Sequence, residues 1–378
     1  MTSAMNLGRK LGETRPATVG SSATTLWLDD IGRVCTIDQT QLPFAAVTIV
    51  LTDCADCVRA INTMQVRGAP LIGVVAAYGL ALALRRAPDD ASLAAVYAQL
   101  LATRPTAFNL RWALDRVRAA VEPASERSRA ELAWSVANQI RDEDIRCNGA
   151  IGEHAARLLQ PLIERACATA RPLNLMTHCN AGALATVAYG TALAPIYLLH
   201  EQGVAVHVWV DETRPRNQGA SLTAWELARA GIAHTVVSDN AGGLLMMRGQ
   251  VDAVIVGCDR VSANGDVVNK VGTYLKALAA AAHAIPFYVC CPLSTIDLQS
   301  ANGASVPIEE RSADEVRYIQ GMSDDQQLLR VRLVPTESAC ANPAFDITPA
   351  ALVTGLVTER GACAANETAI RQTCGVEF

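Results

Sequence analysis

Apolar residues fall into two textures along the chain. Between about Leu26 and Leu51, short β-like runs such as VCTI and AAVTIVL alternate with turn residues, which predicts a small sheet with a break at Pro43. From about Asp53 to Ile163 apolar positions recur three and four apart, as in SLAAVYAQLLATR, NLRWALDRVRAAV and AELAWSVANQI, the period of amphipathic helices. After Arg171 the pattern changes again, to short runs separated by stretches of helix length: NLMTH, VAVHVWV, AHTVV, VDAVIVG and PFYVCC. Val- and Ile-rich strands joined by helical crossovers predict a parallel sheet covered on both faces. The expected fold class is α/β, with a C-terminal Rossmann-like parallel-sheet domain at 148–378 and a mostly helical N-terminal domain at 23–147 that begins with the small sheet. Residues 1–22 read as a flexible extension.

Composition narrows the function classes. Hydrophobic residues make up 51% of the 378 and charged residues 18%, which excludes a mainly disordered chain. A net charge of −5 lacks the global attraction to phosphate backbones expected of a nucleic-acid binder, so no nucleic-acid partner is expected. The longest apolar run, Leu71 to Leu84, falls short of the roughly 20 residues a bilayer span needs and reads as a buried helix, so no membrane association is expected. The 12 cysteines are scattered, and no secretory leader pattern precedes them, which suggests reduced thiols and a cytoplasmic location. Cys54 and Cys57 have CxxC spacing without a second pair or a nearby His, and read as two positions on a helix. The histidines show no metal spacing, and GxxxxGK(S/T), GxGxxG after a strand and HExxH are all missing.

In an open α/β sheet, ligands bind beyond the carboxyl ends of the strands, so the residues following each strand carry the most information. After NLMTH come Cys179 and Asn180, then Ala181 and Gly182, which read as opening a helix; a thiol there would feel the helix's partial positive charge. A buried structural cysteine is the competing reading. After VAVHVWV lies a polar loop from Asp211 to Gly219, whose Arg214, Arg216 and Gln218 suit phosphate and hydroxyl groups or, alternatively, brace the loop internally. After VDAVIVG come Cys258, Asp259 and Arg260. A carboxylate among apolar neighbours is desolvated and becomes an acid/base candidate, unless Arg260 stabilises its ionised form. Lys270 stands near an expected helix start beside Asn269, where a ligand anion would rationalise its charge. In the helical half, VRGAPLIG joins Arg67 and Gly68 to a helix with Pro70 in its first turn, an anion-site geometry, and Arg104, followed by Pro105, offers a further cation.

The segments RGAPLIG, THCNAGALAT, VDETRPRNQGASLTAWEL, GCDRVSANGDVVNKVGTY, IPFYVCCPLSTID, IEER and NPAFDITPAALVTGLVTERG together resemble the methylthioribose-1-phosphate isomerases, over about Leu26 to Glu359. That family shares its fold with the α, β and δ regulatory subunits of the initiation guanine-nucleotide exchange factor and with ribose-1,5-bisphosphate isomerase, which are the alternative readings. IDQTQLP and the retention of both Cys179 and Asp259 point to the isomerases. The resemblance implies Asp259 as proton donor and Cys179 as transition-state stabiliser. It implies Arg67, Gly68, Ala69, Arg104, Gln218, Asn269 and Lys270 as substrate-binding positions. A small-molecule sugar phosphate would be the substrate, no metal or organic cofactor is implied, and a homodimer formed through the α/β half is expected. Asn217, the DNAGGLLM segment and Arg111 depart from the family pattern.

Overall fold

A computed structural model describes residues 18–19, 22–104 and 107–375. The extension expected at 1–22 lies mostly outside the described residues; Thr18–Val19 pairs antiparallel with Ser22–Ala23. The small sheet is present as three antiparallel strands, Leu26–Leu28, Val34–Asp38 and Val47–Leu51, with Pro43 in the connection between the last two.

Helices then follow as the three-to-four spacing requires: Cys54–Asn62, Ala69–Leu84, Asp90–Leu101, Phe108–Val121 and Glu126–Ala168. Ala69–Leu84 is apolar on all sides because it runs through the middle of the bundle. All its residues except Pro70 and Ala83 are buried, and Gly73 lies so close to Asn109 that a Cβ would stand 2.8 Å from its carbonyl oxygen. Cys54 and Cys57 lie on the first of these helices as free thiols, and burial pushes Cys54 up to about 11. The long helix Glu126–Ala168 passes without interruption through residues 147 and 148. Its first part packs into the bundle through Ala133, Val136, Ala137 and Ile140, and its later part covers the main sheet through Ile151, Ala155, Leu159 and Ile163.

The main sheet has the order Gly361–Cys363, Gly355–Thr358, Phe287–Cys290, Ala253–Val256, Leu173–Thr177, Val206–Asp211, Ala233–Val237. All neighbours are parallel except the first pair. The chain moves outward from Leu173–Thr177 through Val206–Asp211 to Ala233–Val237, then returns to place Ala253–Val256 on the other side of the first strand. That reversal opens a crevice between the carboxyl ends of Leu173–Thr177 and Ala253–Val256. A second sheet, ordered Ile296–Asp297, Arg260–Ser262, Val267–Lys270, Phe345–Thr348, stands above that edge. Among the described residues no helix is long and apolar enough to cross a membrane.

Candidate active site

The strand reversal brings together the two residues that follow its flanking strands. Cys179 lies just past Leu173–Thr177, and Asp259 just past Ala253–Val256. Both face one cavity, which is closed on the opposite side by the start of helix Ala69–Leu84 and is lined by Arg67, Gly68, Ala69, Arg104, Gln218, Asn269 and Lys270 as well. All nine positions that the family resemblance implied as catalytic or substrate-binding therefore share one space, whereas Arg214 and Arg216 do not line it.

Cys179 adopts a left-handed backbone at φ 65°. Its N–H donates to Thr213 Oγ1 at 2.8 Å and its carbonyl accepts from Thr223 Oγ1 at 2.7 Å, which holds this unfavourable conformation in place. The helix expected at Ala181 does not form. Residues 183–185 make only a short 3-10 turn, Gly182 bridges Gly190, and helix begins at Ala194. No helix charge therefore lowers the thiol. Burial pushes it up, and the nearby Lys270 and Arg67 pull it back.

Asp259 is anchored by its backbone, N–H to Val268 O at 2.9 Å, and its carboxyl makes no hydrogen bond or ion pair among the described residues. Burial raises its pKa, opposed by Lys270, Arg104 and Arg67. Arg260 does not oppose it at close range. Its guanidinium bonds Asp297 at 2.9 Å and sits over the Phe108 ring, 5.4 Å from the centroid.

Lys270 ends the strand Val267–Lys270, so the helix start expected beside it is displaced to Thr273, with Gly272 as N-cap. It is 6% exposed, its ammonium 5.1 Å from the Phe345 ring centre. Burial lowers its pKa, while Cys179 and Asp259 push it up. Asn269 is positioned by donating to Thr273 Oγ1 at 3.1 Å. Gln218 is 4% exposed, and its Oε1 lacks a partner among the described residues, as does Arg104 Nε. A buried amide oxygen left without a donor is costly unless a ligand supplies one.

Gly68 sits at φ 103° as the N-cap of Ala69–Leu84, and a Cβ there would stand 2.5 Å from Ala185. Only glycine lets the helix start approach the Cys179 loop this closely. Arg67 uses each of its three nitrogens, donating to Gln39 Oε1 at 3.1 Å, to the Asn180 carbonyl at 2.9 Å and to Asn180 Oδ1. It fixes the loop and supplies charge rather than a free fork. Arg214 and Arg216 take the bracing role, the first on the carbonyls of Pro215 and Val316, the second on Glu315 at 3.0 Å. Asn217 occupies a left-handed position at φ 57°, where asparagine is tolerated, and Arg111 is exposed, so both departures fit locally.

Two contributors were not singled out from the sequence. Arg311 lines the cavity and shares Glu309 with Arg104, at 3.3 and 2.9 Å. It falls in the IEER segment, whose pattern gives no sign that it folds over the cavity. Buried Glu226 accepts from Asn180 at 2.7 Å, from the N–H groups of Ala183 and Leu184, and from Tyr197, and so shapes the loop after Cys179. Among the described residues, only His178, Asp211 and Asp239 bring three metal-ligand atoms within 4.8 Å, and the Lys276 ammonium lies 3.1 Å from Asp211. A lysine so placed supplies the cation that these carboxylates need. The arrangement as a whole is an anion site that presents an acid and a thiol.

The Initiation factor 2 subunit family matches this chain over residues 65–365. A methylthioribose-1-phosphate isomerase of Acidiphilium cryptum (strain JF-5) is 56% identical over 354 residues, 93% of this chain and 95% of that protein. A crystal structure of 5-methylthioribose 1-phosphate isomerase from Pyrococcus horikoshii OT3 has a TM-score of 0.79 at 37% identity, covering 94% of this chain and 96% of that one. A structure described as translation initiation factor eIF-2B, subunit delta, from A. fulgidus has a TM-score of 0.75 at 36% identity, covering 93% and 99%. The fold and these matches define the class, the Initiation factor 2 subunit family. Within that class, the chain belongs to the methylthioribose-1-phosphate isomerase family.

Proposed function

We propose that the protein is an aldose–ketose isomerase of methionine salvage that converts 5-methylthio-α-D-ribose 1-phosphate to 5-methylthio-D-ribulose 1-phosphate. The observation that carries this reading is the grouping of an unpaired carboxyl (Asp259), a thiol (Cys179) and a buried ammonium (Lys270) around one cavity. Phosphate on the anomeric oxygen blocks the spontaneous ring opening available to free sugars, so an acid must protonate the ring oxygen first. Asp259, whose pKa burial raises, is that acid. Hydrogen then moves between C2 and C1, and Cys179 stabilises the charge that develops. Lys270, Arg104, Gln218, Asn269 and the backbone at Gly68 and Ala69 hold the phosphate and hydroxyl groups, while Met64, Ile72, Val306 and Phe345 offer apolar wall to the methylthio group.

A second reading, a noncatalytic exchange-factor subunit, draws on the Initiation factor 2 subunit family match and the A. fulgidus structure but leaves the acid, thiol and ammonium without a task. Purified protein with 5-methylthioribose 1-phosphate should yield the ketose, followed by carbon-13 NMR. Absence of turnover, with stable binding to exchange-factor subunits, would favour the second reading. We also propose that the chain forms a homodimer through the α/β half.

A further inference from the structure

His178 directly precedes Cys179, and Val271 directly follows Lys270. The His178 ring lies between them, 1% exposed, with Nδ1 2.9 Å from Asp211 Oδ2 and Nε2 2.8 Å from the carbonyl oxygen of Val271. A backbone carbonyl can only accept a hydrogen bond. An ionised carboxylate can also only accept, and the Lys276 ammonium stands 3.1 Å from the same Asp211 oxygen. A neutral imidazole has a single N–H and would leave one of these contacts as two facing acceptors, so the geometry calls for a proton on each ring nitrogen.

We propose that His178 is a positioning residue: its ring, donating from both nitrogens, ties the strand end that carries Cys179 to the turn that carries Lys270. Asp211 and Asp239 face Nδ1, the latter at 4.0 Å, with the Lys276 ammonium between these acids, where it also donates to the Asp239 carbonyl. Asp346 stands beyond the ring and accepts from Gly272 N–H at 2.7 Å. The ring and the Lys276 ammonium are thus set among three carboxylates, of which Asp211 is fully buried. The turn closes directly on the ring: a Cβ at Gly272, where φ is 106°, would stand 2.8 Å from His178 Cε1. Residue 272 must therefore be glycine for the tether to reach. Asp239 in turn accepts from the N–H groups of Thr213 and Arg214, both at 2.7 Å, and the Thr213 hydroxyl accepts from Cys179 N–H. The same cluster therefore reaches the amino side of the Cys179 backbone twice, through His178 and through Thr213, while Thr223 holds its carbonyl.

The functional consequence rests on the isomerase reading, whereas the protonation state does not. In full-length protein labelled with nitrogen-15 histidine, one histidine at pH 7.5 should show directly bonded protons on both ring nitrogens, protected from exchange, and this signal should be missing from His178→Gln. His178 is the sole buried histidine among the described residues, which identifies the protected ring even if the variant fails to fold. His178→Gln should lower kcat/KM at least tenfold. A buried ring with a proton on one nitrogen only, or a folded variant within threefold of the parent, would overturn the proposal. A doubly protonated ring in a wild-type protein that leaves the sugar phosphate unchanged would support the tether while removing the isomerase reading.

Discussion

On the proposed mechanism Asp259 acts as a ring-oxygen acid only while it keeps its proton, and Lys270 holds phosphate only while charged. Burial raises the first group and lowers the second, so both requirements fail in the same direction, as pH rises. The isomerisation rate should therefore show an alkaline limb, with kcat/KM falling as Asp259 ionises. A rate that climbs steadily from pH 5 to 9 would mean that neither assignment is right. At Gly68 the requirement is steric. Gly68→Ala forces a Cβ into Ala185 at a φ that L side chains rarely adopt, so it should cost about 2 kcal/mol or more in denaturant unfolding and weaken substrate binding together. Loss of neither would show that the helix start is not tightly docked on the Cys179 loop.

Elements differ in how openly the chain announces them. The strands NLMTH, VDAVIVG and PFYVCC and the central helix were legible because burial on both faces concentrates apolar residues into short runs, bounded by turn residues for the strands and sustained over 16 residues for the helix. The segment after Cys179 was not, because its small apolar residues have ordinary helix propensity. What overrides propensity is tertiary: Glu226, distant in sequence, takes the N–H groups of Ala183 and Leu184, and Gly182 abuts its carboxylate. Site residues that follow strands could be found by position alone. Arg311 and Glu309 could not, since their loop is placed over the cavity by contacts distant in sequence, among them those to Met64 and Arg104. Helix Glu126–Ala168 hides a further property in Asp144, whose carboxyl burial pushes up to about 7 although it accepts Val187 N–H at 2.7 Å. The folded state then holds this proton where the unfolded chain, near 3.8, has lost it. Its contribution is full below about pH 4 and is lost as pH rises through about 7, an upper bound of roughly 4 kcal/mol. Asp144→Asn should accordingly raise Tm at pH 8 and flatten the decline between pH 5 and 8; an unchanged slope would locate the titration elsewhere.

At the scale of the whole molecule, the strand reversal meets the helical bundle, and the second sheet delivers Lys270 and Asn269 from above. Catalysis on this reading is a property of that meeting, since the α/β half supplies Asp259, Cys179, Gln218, Asn269 and Lys270 while the helical half supplies Arg67, Gly68, Ala69 and Arg104. The α/β half also exposes Val236, Leu244, Met247, Leu275 and Leu278, Met247 at 62%. So much exposed apolar surface on one half is unusual for a monomer and is consistent with a second copy docking there. Light scattering should give about twice the 40.0 kDa chain mass at micromolar concentration, and Met247→Glu with Leu275→Glu should halve it. A monomeric parent protein would contradict this.

The central claim is that a protonated carboxyl at residue 259 opens a sugar ring that its own phosphate keeps closed. The most direct measurement compares single-turnover isomerisation by Asp259→Asn and by the parent enzyme at saturating 5-methylthioribose 1-phosphate, with substrate affinity determined in parallel. Asparagine preserves shape but cannot donate the proton, so the rate should fall at least about 10²-fold while affinity stays within a few-fold. A variant that turns over at the parent rate would contradict the claim.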